Sequence, residues 1–148
     1  MHAFYDRVTD RARQALEFAN NLALRKKHPL VTNLHILWGI MEEEHNVASS
    51  VLEEMKVDPR KFKFEIEARL GDGIYISHDR GVCYAEDVRQ CICDAITLGQ
   101  SMQVIGCHHL LEAILMDPTN PAAQMLDKWK VTQELVDAYL GAVVKSVA

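Results

Sequence analysis

No stretch of this 148-residue sequence is long and apolar enough to span a bilayer, since the longest run without Asp, Glu, Lys or Arg, around Trp38, is broken by polar residues. Glycine and proline number only 7 and 4, too few for a collagen-like or low-complexity chain. An excess of positive charge is also missing. With 16 Lys and Arg against 21 Asp and Glu the net charge is -5, which argues against a nucleic-acid binder that works by counterion release. The opening residues Asp6, Arg7, Asp10, Arg11 and Arg13 leave no room for an apolar export signal, so none is expected and cytoplasm is the working location. The four cysteines then read as free thiols of a reducing compartment. No C-x-x-C pair is present, and Cys91 and Cys93, two apart on a helix, point their sulfurs to different faces, so no tetrahedral metal site and no cofactor is expected. Neither Gly106 nor Gly141 is followed by the Lys and Ser/Thr of a phosphate-cradling loop, so ATP hydrolysis is not expected of this polypeptide. No triad or paired-carboxylate arrangement can be supported from spacing, and no catalytic centre is assigned.

What is present is helical periodicity. Ala12, Ala15, Leu16, Ala19, Leu22 and Ala23 recur at spacings of three and four, with Thr9 or Asp10 as cap. Thr32 or Asn33 opens a second helix carrying Leu34, Leu37, Ile40 and Met41. Asn46 opens a third with Val47, Val51, Leu52 and Met55 facing inward, and Asp58-Pro59 caps a fourth with Phe62, Ile66 and Leu70. Gly71, Gly73 and Gly81 punctuate a linker from 71 to 84 in which Ile74, Tyr75 and Ile76 form a short extended piece. Four further amphipathic segments follow, marked by Val88, Cys91, Ile92 and Ala95, by Leu110, Leu111, Ile114 and Leu115, by Ala122, Met125, Leu126 and Trp129, and by Leu135, Val136, Tyr139, Leu140 and Val143. No clear strand emerges.

The two halves are copies of each other. At an offset of 74 residues His35 pairs with His109, Leu37 with Leu111, Ile40 with Ile114, Asn46 with Asn120, Ala48 with Ala122, Lys56 with Lys130 and Val57 with Val131. Upstream the offset is 76, pairing Arg13 with Arg89, Ala19 with Ala95 and Leu22 with Leu98, so the first half has two extra residues in its basic bend. The expected fold is all-α: one domain over 1–148, built as a tandem repeat of two four-helix units at 4–70 and 85–145, related by a pseudo-two-fold because each alone leaves apolar surface uncovered.

The residues that carry the repeat also carry a resemblance. Arg7-Val8-Thr9-Asp10-Arg11-Ala12-Arg13, Ala19-Asn20 and Val31-Thr32-Asn33-Leu34-His35-Ile36-Leu37-Trp38-Gly39-Ile40, echoed by Val104 to Leu115, resemble the Clp repeat, the N-terminal domain of Clp-family AAA+ unfoldases, most like the ClpC type. The resemblance implies an all-α module that receives protein substrates or adaptors for a hexameric ATP-driven unfoldase or protease, in chaperone and quality-control work. An alternative is a free-standing accessory subunit that docks on and regulates a Clp ring. ClpC-type domains are understood to bind phosphoarginine at the start of the second helix of each repeat, with an acidic residue before the repeat His holding the guanidinium. In this sequence Leu34 and His108 stand in place of that acid, and Asn33 and Cys107 in place of the usual Thr, so the charge-assisted contact is missing.

Candidate contact residues are therefore Thr32, Asn33 and Leu34 at one helix start, and Gly106, Cys107 and His108 at the other, where free amides and the helix dipole favour an anion. Trp38 aligns with Glu112, and a position that takes both sits near the surface, so Trp38 is a candidate for an apolar contact patch, weighed against core packing. His35 and His109 are expected as buried residues bonded to backbone, Trp129 and Cys91 as core, and Cys93 as more exposed. Glu42, Glu43 and Glu44 are expected to form a solvated acidic face, and Arg25, Lys26 and Lys27 a solvated basic loop. The expected partners are protein substrates, adaptors and a Clp ATPase or protease ring, with no nucleic acid and no membrane.

Overall fold

The computed structural model describes residues 7–74, 83–99 and 104–147, with side chains described through Gly141. Tyr75, Ile76, Gly81 and the side chain of Val143 lie outside the described residues; Ile74 is exposed and in neither helix nor strand.

Eight helices account for most of it: α1 Asp10–Arg25, α2 Asn33–Glu43, α3 Val47–Glu54, α4 Pro59–Leu70, α5 Glu86–Leu98, α6 Cys107–Met116, α7 Pro121–Lys128 and α8 Gln133–Val147. The all-α reading and the repeat both hold. The starts are capped as the sequence indicates: the Thr9 hydroxyl accepts from the Ala12 amide, and Asp58 accepts from Arg60 and Lys61 ahead of Pro59. The repeats match in detail. Asn46 accepts from the Ser49 amide and donates to the Ile40 carbonyl, while Asn120 accepts from Ala123 and donates to Ile114. Lys56 and Lys130, also paired at the offset of 74, both adopt left-handed backbone after their helices, with φ of 67° and 64°.

Two pieces of strand escaped the periodicity, because a two-residue strand leaves no pattern to read. Leu30–Val31 (β1) pairs in parallel with Cys83–Tyr84 (β2), and Val8 forms a single parallel bridge with Ile105. These are one contact made twice, since the repeat offsets map Val31 to Ile105 and Val8 to Tyr84. The Ala85 amide donates to the Val31 carbonyl and the Thr9 amide to the Ile105 carbonyl, each at 2.9 Å. Each repeat thus borrows the segment ahead of the other's first helix.

The core is continuous across both repeats, running from Leu16, Leu37 and Phe62 to Leu111, Ile114 and Leu126. Small residues let α1 and α2 come close. Ala12, Ala15, Ala19 and Ala23 are fully buried, and a Cβ added to Gly39 would stand 2.1 Å from the Ala15 carbonyl oxygen. Phe62 meets Trp129 edge to face, 5.5 Å between centroids, tying α4 to the end of α7; Trp129 is half-buried and its indole nitrogen donates to Glu65. Two residues expected inside lie outside. Val47 opens α3 at its exposed first position, and Leu135 faces solvent in the first turn of α8, where Val136 and Leu140 suffice to seat the helix.

Leu37→Ala and Leu111→Ala, both at sites with no exposed surface, are each expected to lower stability by about 2–5 kcal/mol in denaturant unfolding. Gly39→Ala is expected to cost about 1–3 kcal/mol by overpacking against α1, whereas Ala113→Gly at the equivalent place in α6 costs about 1 kcal/mol of helix propensity.

Candidate functional site

The two second-helix starts are built alike and end up different. In each repeat the histidine at the third helical position turns back to its own cap: the Thr32 amide donates to His35 Nδ1, and the Gly106 amide to His109 Nδ1, both at 2.9 Å. With Nδ1 accepting, the neutral tautomer carries its proton on Nε2. His35 passes it on as a bond of 2.9 Å to His28 Nδ1, and His28 Nε2 donates to the Gly71 carbonyl at 2.7 Å. This chain fastens the basic bend, α2 and the end of α4 together. Burial, and then the neighbouring His28, push His35 down to about 4; burial also lowers His109. Both repeat histidines are structural, as expected.

The difference comes from what the opposite repeat places over each start. Residues 11 and 87 are equivalents at the offset of 76, and each lies in the first turn of its repeat's first helix. Asp87 reaches across to α2, where its carboxylate accepts from the Asn33 amide at 3.4 Å. An anion supplied by the chain itself therefore occupies the α2 start. Asn33 and Leu34 are buried there, and Thr32 is half-buried. At the α6 start the crossing residue is Arg11. It lines a cavity of about 180 Å³ together with Thr9, His45, Asn46 and Val47 from repeat one and Gly106, Cys107 and His108 from repeat two.

Of the residues singled out from sequence, the structure gathers Gly106, Cys107 and His108 around one cavity between the repeats. It places Thr32, Asn33 and Leu34 at a covered start and Trp38 elsewhere. Trp38 is a correction to the surface reading: only 7% exposed, its ring lies under the Arg25 guanidinium at 5.5 Å and the Lys63 ammonium at 5.9 Å, and its indole donates to Glu67. Glu112, its counterpart, is half-buried, so the position admits either residue because charged side chains close over the ring in one repeat. The basic loop is likewise less free than expected, since Arg25 and Lys26 both pair with Glu67.

The acidic run divides three ways. Glu42 accepts from Lys63 at 2.8 Å, and Glu44 takes the left-handed cap position with φ 70°. Glu43 overturns the solvated reading: it is 7% exposed, accepts from Arg11 and from the His45 amide, and keeps one carboxylate oxygen without a partner. Its charge adds to burial in raising the Cys107 thiol to about 12, so Cys107 is an inert wall of the cavity. Cys91 is buried and raised to about 12 by burial and by Asp94 and Asp87, and Cys93 is exposed, both as expected. Among the described residues no three His, Cys, Asp or Glu side chains come together as a metal set.

Sequence reasoning missed Arg11, Glu43 and Asp87. Arg11 and Asp87 were signalled by the repeat register, which pairs opposite charges at one position; that both cross to the partner repeat was not legible without the strand pairing.

Comparison with known proteins places this geometry. The model of the Clp repeat (R) N-terminal domain family matches residues 7–129. The chain belongs to the Clp repeat N-terminal domain family. It is 27% identical over 132 residues to the negative regulator of genetic competence ClpC/MecB of Bacillus subtilis, covering 86% of this chain and 16% of that protein. A ClpC ATP-binding subunit of the Clp protease from Staphylococcus aureus is 25% identical over 125 residues, covering 82% of this chain and 15% of that protein. This Clp repeat domain therefore spans about a sixth of relatives of that kind. Among solved structures, the N-domain of ClpV from Vibrio cholerae superposes with a TM-score of 0.78 at 15% identity, over 96% of this chain and 87% of that one. The N-terminal domain of ClpD from Arabidopsis thaliana gives 0.74 at 15% identity, over 95% and 96%. These likenesses show the Clp N-domain fold. Among the described residues no helix is long and apolar enough to cross a membrane.

His108, beside the cavity with its ring tilted against that of His109 at 4.0 Å between centroids, is held down to about 4 by burial and then by His109. Unfolded, it takes up its proton near the ordinary 6.5, so the unfolded chain binds more protons between those values and stability falls as pH drops from 6.5 towards 4. Glu112, raised to about 7 by burial and by Asp137, acts in the opposite sense over part of that range. The diagnostic is therefore a difference: His108→Asn should lose less of its unfolding midpoint between pH 6.5 and 4 than the parent does, and equal losses would contradict the half-buried, neutral assignment.

Proposed function

We propose that this chain is the polypeptide-recognition module of a Clp-type unfoldase or protease system, engaging unfolded substrates or an adaptor at the cavity between the repeats. The observation that carries this reading is the inequality of the two helix starts: the α2 start is covered by Asp87, while the α6 start opens into a cavity of about 180 Å³ flanked by Arg11. First-turn amides have no acceptor within their own helix, so those of Cys107 and His108 suit a peptide carbonyl or carboxylate, with Arg11 adding charge. Val47 and the buried thiol of Cys107 supply an apolar wall for a side chain. Such a site grips short segments weakly, which fits a receptor whose work is to raise the local concentration of substrates.

A permanently unfolded polypeptide titrated into labelled protein should shift the resonances of Arg11, His45, Gly106 and His108, and Arg11→Ala should weaken its binding. Shifts centred on Thr32 to Leu34 instead, or recovery from lysate of Clp ring subunits without unfolded clients, would replace this reading with another docking face or with an accessory subunit.

Phosphoarginine recognition is not part of the reading. Leu34 is buried and apolar, and His108 is neutral at physiological pH, so neither offers a carboxylate to a guanidinium. Free phosphoarginine should therefore bind little better than inorganic phosphate. An affinity gain of about tenfold or more over phosphate would contradict this.

A further inference from the structure

Outside the inter-repeat cavity, the two fourth helices carry opposite chemistry at equivalent positions. On α4, Phe64 points away from the core at 73% exposure, with Arg60 and Lys61 beside it one turn earlier. Among the described residues neither cation has a carboxylate within ion-pair distance. At the offset of 74, the same face of α8 carries Glu134, Leu135 and Ala138, all exposed. The whole chains of the repeats differ in the same sense: residues 4–70 hold eleven charges of each sign, while residues 85–145 hold four Lys and Arg against eight Asp and Glu. A side chain as large and apolar as Phe64, left this exposed and flanked on one side by two cations, is the profile of a contact residue.

The complementary half is on the same molecule. A cleft of about 360 Å³ lies where the end of α6 and the flank of α7 meet the start of α8, lined by Leu115, Pro118, Ala123 and Val131 together with Gln124, Asp127, Thr132 and Gln133. Glu134 follows directly after Gln133, which lines it. The equivalent cleft in repeat one, about 300 Å³, has Glu44 and Ser49 where this one has Pro118 and Ala123. The repeat-two cleft is thus the more apolar of the two at those positions, while both carry an acid at the place of Asp127, which is Glu53 in repeat one.

We propose that Phe64 of one copy of this chain seats in the α7–α8 cleft of a second copy, with Arg60 and Lys61 facing Asp127 and Glu134. Knob and seat are separate patches, so the contact is between unlike surfaces and depends on charge as well as on apolar burial. It is distinct from the recognition cavity at the α6 start, and polypeptide binding there can fail or succeed without affecting it.

Sedimentation equilibrium of the full chain, at concentrations up to about 1 mM, tests it. The parent should show mass rising with concentration, and the rise should shrink in about 0.5 M salt. Phe64→Ser, the pair Arg60→Glu with Lys61→Glu, and the pair Asp127→Lys with Glu134→Lys should each weaken self-association about tenfold or more. Circular dichroism melts confirm that each variant is folded; Arg60 and Lys61 lie in the first turn of α4, where acids suit the helix dipole. The two charge-reversed variants mixed one to one should regain a complex, because one still presents acids and the other still presents cations. A parent that stays monomeric throughout, association indifferent to Phe64→Ser, or a mixture that stays monomeric would overturn the proposal. So would a monomeric parent whose Phe64 signal shifts with an acidic peptide, which would assign the face to another protein.

Discussion

Everything in this domain depends on the reciprocal crossing of two short segments. The residues ahead of α1 pair with those ahead of α6, and the residues ahead of α2 pair with those ahead of α5, through the Val8–Ile105 bridge and the β1–β2 ladder. A four-helix unit of this size is marginal on its own, and here the crossing lets each unit cover the other in one continuous core. It also fixes what stands at each second-helix start, since the first turn of α1 is carried to the α6 start and the first turn of α5 to the α2 start. Structural symmetry is thereby turned into chemical asymmetry between the two starts by one pair of residues, Arg11 and Asp87.

The amides at a helix start favour an anion. When the chain supplies one, as Asp87 does at Asn33, the start becomes part of the scaffold. When the crossing residue is a cation, the amides remain available and the cation adds to them. Glu43 moderates this by sharing Arg11 from within the core, with one of its oxygens buried and unpartnered and its charge felt at the Cys107 thiol. The α6 start is therefore close to charge-balanced, suited to a polar peptide backbone with an apolar side chain more than to a free multivalent anion. The histidines at the third helical positions serve the scaffold in both repeats, since each bonds the backbone amide of its own cap.

The helices, their caps and the repeat were legible in the sequence because each leaves a local mark: Asp58-Pro59 at a start, Ala12, Ala15 and Ala19 on one face, Asn46 and Asn120 at one register. The family was legible for the same reason. Three things were not. The strands are two residues long and carry no period. Trp38 looked superficial because its equivalent is Glu112, yet Arg25, Lys63 and Glu67 close over it from other helices, and no one-dimensional pattern shows which distant cations will do so. Glu43 sits in an acidic run that reads as solvated, and its burial follows from the packing of the α2 end against Arg11 and the α6 start. In each case the missing information was a contact between elements far apart in sequence.

The most direct test of this account is native-state hydrogen exchange read at the amides of Thr9, Ala85 and Ile105, which donate across the repeats, against that of Leu37 in the core. If the crossing is what makes the domain one unit, all three exchange only through global unfolding, with the protection shown by Leu37. Exchange of Thr9, Ala85 and Ile105 by a far easier opening, while Leu37 stays protected, would mean that the repeats separate on their own and that the crossing does not hold the fold together.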